Sequence, residues 1–436
     1  KNIPVKNVIF LKYRLKYRNM SKQKIYPAPF SKMRGGAKTN KKRCGVYLDY
    51  AATTPVDPRV MKAMNPYFSE KFGNTMSLHS FGQEAKQALE ESREQVSDLI
   101  KAKPGEIIFT SSATESNNLA LKGVALANRK KGNHLIVSSI EHPCIMETTK
   151  WLEKEGFEIT RLPVDKYGQV FPEEVKKAIK KETILVSIIH ASNEIGTIQP
   201  IGEIGKIVKS QNSKVKSQIY FHTDAAQSFG KIPIDVNKMN IDLLTASSHK
   251  MYGPKGAALL FVREGTKIEP ILHGGGQEAG LRSSTVNVPA IVGFAKACEI
   301  CQREMKSEAK RQTKLRDKLI KGVLEKIPGA HLNGHPKKRL PNNANFWFEF
   351  IEGESMVIQL DLRGIATSTG SACATAKLEP SHVLLAIGLK PHEAHGSLRL
   401  TLGRWTREKE INYLLKILPG IIKKLRKISP FKKKYE

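Results

Sequence analysis

The chain has 436 residues, a formal net charge of +31 and 40% hydrophobic residues. This length predicts two or three domains, and the hydrophobic fraction is sufficient for a large core. No uninterrupted run of 18 apolar residues occurs, which excludes a conventional membrane-spanning helix, so no membrane partner is expected.

The positive charge is concentrated at the two ends of the chain. Residues 1–43 hold fourteen Lys and Arg and no acid, and residues 416–436 carry +7, which leaves +10 for residues 44–415. We expect solvated tails, with residues 1–43 forming a basic, disordered N-terminal extension whose role in organelle targeting stays open. The functional alternative is a basic surface for acidic proteins or RNA, although nucleic acid is not expected as a direct substrate.

Five cysteines are spread along the chain: Cys44, Cys144, Cys298, Cys301 and Cys373. Their odd number and wide spacing predict reduced thiols in a cytoplasmic compartment rather than disulfides. Cys298 and Cys301 form a single CxxC inside a helical pattern, which favours buried packing over metal binding. No intrinsic metal site is expected.

From about residue 80, strand-like and helix-like runs alternate. This order is typical of βαβ units around a mostly parallel sheet, and therefore of an α/β fold. Ligands of such sheets bind at the carboxyl ends of the strands. The unusual polar residues occur at those ends: Ser111–Thr114, Glu141–His142, His190–Asn193, His222–Gln227 and Ser247–Lys250.

The pattern changes at about residue 303, where a long charged helix leads into strand-like "AHLNG" and "NANFWFEF", a helix, the strand-like "SLRLTLG" and a last helix. This order predicts a smaller α+β domain. We therefore expect a large domain over residues 54–302 and a small C-terminal domain formed by residues 44–53 and 303–436.

Lys250 lies in "SSHKMYGPKG", directly after an apolar segment. A lysine that is partly desolvated in a polar crevice can form an imine with an aldehyde. Taken alone, Lys250 would be interpreted as a surface or structural lysine. The residues at the neighbouring strand ends are needed to choose between that interpretation and an imine-forming lysine.

Three of the other strand ends carry groups that could act together with Lys250. "TSSATESNN" starts a helix where backbone N–H groups can bind phosphate, with ordinary capping as the alternative, and Ser247 and His249 could add donors. Asp224 could pair with a protonated pyridine nitrogen or form a salt bridge, and His142 could stack on a ring or pack in the core. With a lysine that forms an imine, these groups together specify pyridoxal 5′-phosphate.

The chain resembles the cysteine desulfurases of the NifS/IscS type, within the fold-type I pyridoxal-phosphate enzymes. The resemblance covers nearly everything after the first 45 residues. It is carried by these motifs in family order: "LDYAATTP", "SLHSFGQEAK", "FTSSATESNN", "EHPC", "NEIG", "HTDAAQ", "SSHKMYGPKG", "GGGQEAGLRSST", "STGSACATAKLEPSHV" and "SLRLTLGRWT".

The resemblance implies a role for each matching residue. Lys250 would hold the cofactor covalently, Asp224 would pair with its ring nitrogen, Gln227 would bond its ring hydroxyl, and His142 would stack on the ring and move protons. The cofactor phosphate would be bound by Ala113, Thr114, Ser247 and His249, and by Thr285 from across a homodimer interface. The substrate carboxylate would be bound by Asn193 and Arg399. Asn193 would also line the cofactor site.

Cys373 would be the nucleophile by the same resemblance. It would take the sulfur of L-cysteine as a persulfide, leave L-alanine, and pass the sulfur on. The spacer before "EPSHV" is similar to the branch that serves iron–sulfur cluster assembly, so the expected partner is an iron–sulfur scaffold protein or another sulfur acceptor. Cys373 could also be a transient iron–sulfur ligand.

Some positions depart from the family pattern: Thr75, Met76, Ser192 and Ala279. None of them is a proposed catalytic group. A selenocysteine lyase, another class V aminotransferase or lyase, and a non-enzymatic basic binding protein stay as alternatives. The acceptor could equally serve tRNA thiolation or thiamine synthesis.

Overall fold

A computed structural model describes residues 45–212, 218–370 and 379–429 of the chain. The predictions for residues 1–43 and for Cys373 lie outside these ranges. Within them, no helix combines the length and the apolar character needed to cross a membrane.

The described part of the chain contains twelve β-strands. In chain order they are β1 (Val46–Tyr47), β2 (Ile107–Thr110), β3 (His134–Ser138), β4 (Glu158–Leu162), β5 (Thr183–Ser187), β6 (Tyr220–Asp224), β7 (Leu243–Ser247), β8 (Ala258–Val262), β9 (Ala330–Asn333), β10 (Asn343–Phe348), β11 (Ile365–Ala366) and β12 (Ser397–Thr401). The predicted strand runs are confirmed, because each contains one of these strands.

Eleven α-helices connect or flank them in the same ranges. They are α1 (Pro58–Met64), α2 (Ser80–Asp98), α3 (Ala113–Asn128), α4 (Pro143–Lys154), α5 (Pro172–Ala178), α6 (Ile201–Gln211), α7 (Val288–Lys326), α8 (Gly353–Asp361), α9 (His382–Ala386), α10 (Pro391–His395) and α11 (Glu408–Ile428). Residues that accept hydrogen bonds from first-turn amides begin several of them, including Ser112 before α3 and His142 before α4.

Seven strands form the central sheet in the order β2-β8-β7-β6-β5-β3-β4. The neighbours from β7 to β4 run parallel, whereas β8 is antiparallel to both β2 and β7. The prediction of a mostly parallel sheet in an α/β fold is thus confirmed, with β8 as the exception. Strands β3, β5, β6, β7 and β8 are buried along their whole length, as expected for a sheet covered on both faces.

Alternate residues of each strand face two different cores. Ile107 and Phe109 pack with helices α2, α6 and α7 on one face, and Ile108 packs with α3 and α4 on the other. This division follows from the two-residue period of a strand. Hydrophobic burial on both faces fixes the sheet between two helical layers, which positions its carboxyl edge.

A second core lies at the C-terminal end of the chain. The sheet β12-β10-β9 is antiparallel, and it packs with α8, α11 and the last turns of α7. Helix α7 runs unbroken for 39 residues and contributes to both cores. Cys298 and Cys301 are 1% and 4% exposed in the first core, so the prediction that they pack in the interior is confirmed.

Candidate active site

Lys250 ends a single turn, Ser248–Lys250, that directly follows β7. Its Nζ donates to the backbone oxygens of Ala51 and Ala52 at 2.6 and 2.7 Å. Gln227 Nε2 donates to the same Ala51 oxygen at 2.9 Å. The "LDYAATTP" segment therefore crosses the end of the sheet and brings Lys250 and Gln227 to one point.

Asp224 is the last residue of β6 and is 4% exposed. Its two carboxylate oxygens accept hydrogen bonds from Asn117 Nδ2 at 2.7 Å and from the backbone N–H of Ala226 at 2.9 Å. Within the described ranges no Lys, Arg or His forms an ion pair with it. A buried carboxylate without a cation fits the protonated ring nitrogen of pyridoxal 5′-phosphate.

His142 precedes α4 and lies where the charges of Asp224 and Lys250 act on it. Burial lowers the pKa of His142, the charge of Asp224 raises it, and the positive charges of Lys250 and His382 lower it. Its Nδ1 lies 3.0 Å from Cys144 Sγ and accepts the backbone N–H of Cys144 at 3.2 Å. The imidazole is thus held where the charges of both Asp224 and Lys250 act on it.

The residues predicted to bind phosphate lie at the amino end of α3. Ser112 Oγ accepts the N–H of Glu115 at 3.2 Å, and Ala113 and Thr114 begin the helix. The first amides of a helix have no helical partners and attract anions. Ala113 and Thr114 therefore lie at a helix start whose first backbone N–H groups fit a phosphate.

His249 and Ser247 flank Lys250 from the other side. His249 Nδ1 lies 3.0 Å from Thr53 Oγ1, and Ser247 is buried at the end of β7. Burial and then the charge of Lys250 lower the pKa of His249 to about 4. Burial beside Lys250 therefore favours the neutral imidazole of His249, which can offer a phosphate a hydrogen bond.

Arg399 lies on β12, in the smaller sheet, and is 2% exposed. Its Nη1 donates to the backbone oxygen of Asn193 at 3.1 Å, and its Nη2 donates to Asp49 Oδ1 at 3.0 Å. Its Nε has no hydrogen-bond partner among the described residues. The guanidinium thus reaches the loop after β5 and keeps donor capacity for a carboxylate.

Two buried glutamates support the loops that carry His142 and Asn193. Glu141 Oε1 accepts the hydroxyl of Ser138 at 2.5 Å and the N–H of Ile189 at 2.7 Å. Glu194 Oε2 accepts the hydroxyl of Ser381 at 2.5 Å. Burial raises the pKa of Glu141 to about 8 and that of Glu194 to about 7, because desolvation disfavours the charged form of each carboxyl.

The predicted residues lie at or contact the segments at this edge with two exceptions, and their roles stay predictions. Thr285 is exposed, with no described contact to the others, and Cys373 is outside the described residues. The sequence alone predicted no role for Asn117, Asp49 or Cys144, although each lies within one of the quoted motifs. Their importance comes from their contacts with Asp224, Arg399 and His142, which no local pattern reveals.

Three comparisons show which known proteins this chain is similar to. The family model of the class-V aminotransferases matches residues 46–414. Cysteine desulfurase IscS of Dictyoglomus turgidum is 53% identical over 391 residues, covering 90% of this chain and 98% of the relative. A solved NifS-like protein is 41% identical with a TM-score of 0.82, over 87% of this chain and 100% of the other. SspA, solved in complex with cysteine, is 38% identical with a TM-score of 0.72, over 83% and 100%.

The fold and the edge residues define a pyridoxal-phosphate enzyme, and the chain belongs to the class-V aminotransferase family. Within that family it belongs to the cysteine desulfurases, which depend on pyridoxal 5′-phosphate. The recognition made from the motifs is therefore confirmed.

Proposed function

We propose that this chain converts L-cysteine to L-alanine and transfers the sulfur to an acceptor. The relatives are named cysteine desulfurases, and one structural neighbour was solved with cysteine bound. The observation that carries the proposal is the buried Asp224, which forms no ion pair within the described residues and acts with Lys250 on the ring of His142. A buried carboxylate of this kind suits the protonated ring nitrogen that the cofactor would supply.

Four parts of the site would hold the cofactor. Lys250 would bind its aldehyde carbon, Asp224 its ring nitrogen and Gln227 its ring hydroxyl, with the amino end of α3 at its phosphate. When bound, pyridoxal 5′-phosphate supplies an electron sink for negative charge at the substrate Cα. We propose Lys250 Nζ as the group that takes the Cα proton.

Arg399 and Asn193 are proposed to bind the substrate carboxylate. The guanidinium already uses one N–H on Asn193 and one on Asp49, and its planar fork leaves further donors for a bidentate contact. Asp49 and the Asn193 carbonyl would hold the fork in place before the substrate arrives. A substrate bound this way has its Cα fixed relative to Lys250.

The sulfur-transfer step is proposed for Cys373. Its thiolate would attack the sulfur of the bound cysteine, so that a sulfur–sulfur bond forms while the carbon–sulfur bond breaks. The electron pair of that bond stays on the substrate carbon, which gains a proton and leaves as alanine. The terminal sulfur then remains on Cys373 as a persulfide, ready for an acceptor.

We propose an iron–sulfur scaffold protein as the acceptor, and a cytoplasmic location. The first rests on relatives that carry the IscS name. The second is supported by three free thiols in the described residues, Cys144, Cys298 and Cys301. Transfer of labelled sulfur from loaded enzyme to a purified scaffold, compared with a small thiol, tests the first proposal.

We also propose a homodimer in which Thr285 reaches the partner's phosphate site. Thr285 is exposed, as are five large apolar side chains between residues 68 and 81. These are 52–93% exposed: Phe68, Phe72, Met76, Leu78 and Phe81. Exposed apolar clusters mark interfaces. Leu78→Glu should lower the mass measured by light scattering from dimer to monomer; an unchanged mass would argue against this surface.

The domain division is proposed as residues 54–302 for the large unit, with 44–53 and 303–436 for the small one. Two separate hydrophobic cores support it, since Cys301 belongs to the first and Leu315 to the second. Leu48, at the start of the described chain, packs in the second core.

One experiment tests the central proposal. Wild-type protein incubated with L-cysteine should gain one sulfur on Cys373 by mass spectrometry and release alanine. Cys373→Ser should lose both, whereas Cys301→Ser, a buried control, should keep both. Full alanine release by Cys373→Ser would refute the persulfide route, and protein without covalently bound pyridoxal 5′-phosphate at Lys250 would refute the enzyme assignment.

A further inference from the structure

The position of the ring proton of His142 follows from its contacts. His142 caps the amino end of α4, and its Nδ1 accepts the backbone N–H of Cys144 at 3.2 Å. Because an N–H only donates, Nδ1 must present its lone pair there and cannot carry a proton. In the neutral ring the proton is then on Nε2.

The thiol of Cys144 reinforces this arrangement. Its Sγ lies 3.0 Å from His142 Nδ1, and Asn117 Nδ2 donates to the same sulfur at 3.2 Å. Burial, followed by the negative charge of Asp224, raises the pKa of the Cys144 thiol to about 12. The group therefore stays an S–H at neutral pH, and Nδ1, which already accepts the Cys144 N–H, is an acceptor within reach of its hydrogen.

Asn117 connects this contact to the cofactor site. Its Nδ2 also donates to Asp224 Oδ2 at 2.7 Å, which uses both hydrogens of the amide. The orientation of the amide is fixed because the carboxylate can only accept. Hydrogen bonds thus run without a break from Asp224 through Asn117 and Cys144 to His142.

The charged and titratable groups that face the ring are Asp224, Lys250, His382 and Cys144. Only Asp224 favours a positive imidazole, while burial, Lys250 and His382 oppose it. The amino end of α4 adds the positive end of a helix dipole. A helix amino end that holds an imidazole neutral lets it act as a hydrogen-bond donor through its protonated nitrogen.

We propose that Cys144 and Asn117 are positioning residues that hold His142 as a neutral imidazole with its proton on Nε2. His142 then meets the cofactor and the substrate as a donor through Nε2, not as an imidazolium. The catalytic meaning rests on the proposed function, which places the cofactor beside this ring. The proton position itself does not depend on turnover.

Nitrogen NMR of histidine-labelled protein tests the proposal, both without cofactor and after loading with pyridoxal 5′-phosphate. His142→Gln identifies the signals of this ring by their disappearance. From about pH 6 to about pH 8, the range where histidines titrate, we expect a protonated Nε2 and an unprotonated Nδ1. A ring with its proton on Nδ1, or an imidazolium at pH 7, would overturn the proposal.

Two substitutions separate positioning from packing. Cys144→Ala removes the S–H donor that favours the neutral ring, so the titration midpoint of His142 should rise by about 0.5 pH units. Cys144→Ser keeps a donor and should shift it less, and Cys298→Ala, the same change in the first core, should leave it unchanged. A Cys144→Ala protein with the wild-type midpoint and only a lower melting temperature would make Cys144 a packing residue and end the proposal. Failure to bind pyridoxal 5′-phosphate would instead count against the proposed function.

Discussion

Arg399 Nη2 donates to Asp49 Oδ1 at 3.0 Å, and the two side chains are only 3% and 17% exposed. Burial raises the pKa of Asp49, and the positive charge of Arg399 lowers it. The ion pair joins β12 to the segment that also meets Lys250 through Ala51 and Ala52. One contact therefore links the proposed substrate-binding guanidinium to the proposed cofactor lysine.

Replacing Asp49 by Asn should mainly weaken substrate binding. Arg399 would lose the charge that orients its fork, so we expect KM for L-cysteine to rise about tenfold, which corresponds to about 1.4 kcal/mol. The turnover number should change less, because Lys250 keeps both backbone acceptors. Alanine production at varied L-cysteine concentration measures both constants, with Asp361→Asn on the surface of α8 as control. An unchanged KM would show that Asp49 does not orient Arg399 for substrate.

Asp224→Asn should reduce the chemical step rather than substrate binding. An amide cannot stabilise a protonated ring nitrogen, so the electron sink is lost, and removing one charge of a buried pair costs about 3–5 kcal/mol. We expect turnover to fall by about 100-fold or more. Cofactor absorbance and alanine release should be measured together, with Asp98→Asn as an exposed control. Near wild-type turnover in fully loaded Asp224→Asn would contradict the ring-nitrogen assignment.

The buried ion pair of Arg93 and Glu278 should be important for stability. Arg93 Nη1 and Nη2 each donate to Glu278 at 2.8 Å, and the N–H of Phe109 donates to the same carboxylate at 2.7 Å. Glu278→Gln removes the buried negative charge that faces Arg93 and should lower the free energy of unfolding by about 3 kcal/mol.

Glu90 offers a matched control because it contacts the same arginine from the surface. Its side chain is 52% exposed, and its oxygen lies 3.1 Å from Arg93 Nε. Glu90→Gln should change the free energy of unfolding by less than about 0.5 kcal/mol. Urea unfolding of both variants measures the difference, and equal losses would mean that burial does not decide the strength of this pair.

The raised pKa of Glu141 should make stability fall as pH rises from about 4 towards about 8. Burial raises the pKa of Glu141 to about 8, whereas an unfolded glutamate titrates near about 4.3. Between these values the folded protein keeps a proton that the unfolded chain releases, so the free energy of unfolding decreases with rising pH and levels off above pH 8.

Glu141→Gln removes this titration. We expect the free energy of unfolding of the variant to depend less on pH, and to approach or exceed that of the wild type at pH 9. Urea unfolding at several pH values between 5 and 9 measures it, with the exposed Glu70→Gln as control. Parallel curves for wild type and Glu141→Gln would contradict the raised pKa.

The strands and most helices of the large domain could be predicted from the sequence. Runs such as "TILVSIIHA" and "DLLTASS" are buried on both sides, and a continuous apolar stretch records that burial locally. The bounds of helix α7 were harder to predict, because the residue pattern changes at about residue 303 while the helix itself continues. A change of environment from the first to the second core alters composition without breaking a helix.

By itself the sequence determined the fold class, the family and the chemistry of the polar groups at the strand ends, because residue type and local periodicity specify these. The tertiary structure alone decided which groups meet. Asp49 is 350 residues from Arg399 in the chain, and Asn117 is 107 residues from Asp224. Such partners depend on how distant strands pack, and many arginines and amides would have suited the same carboxylates. The physical reason is that burial leaves a local pattern in the sequence, whereas tertiary packing alone selects one of several chemically equivalent polar partners.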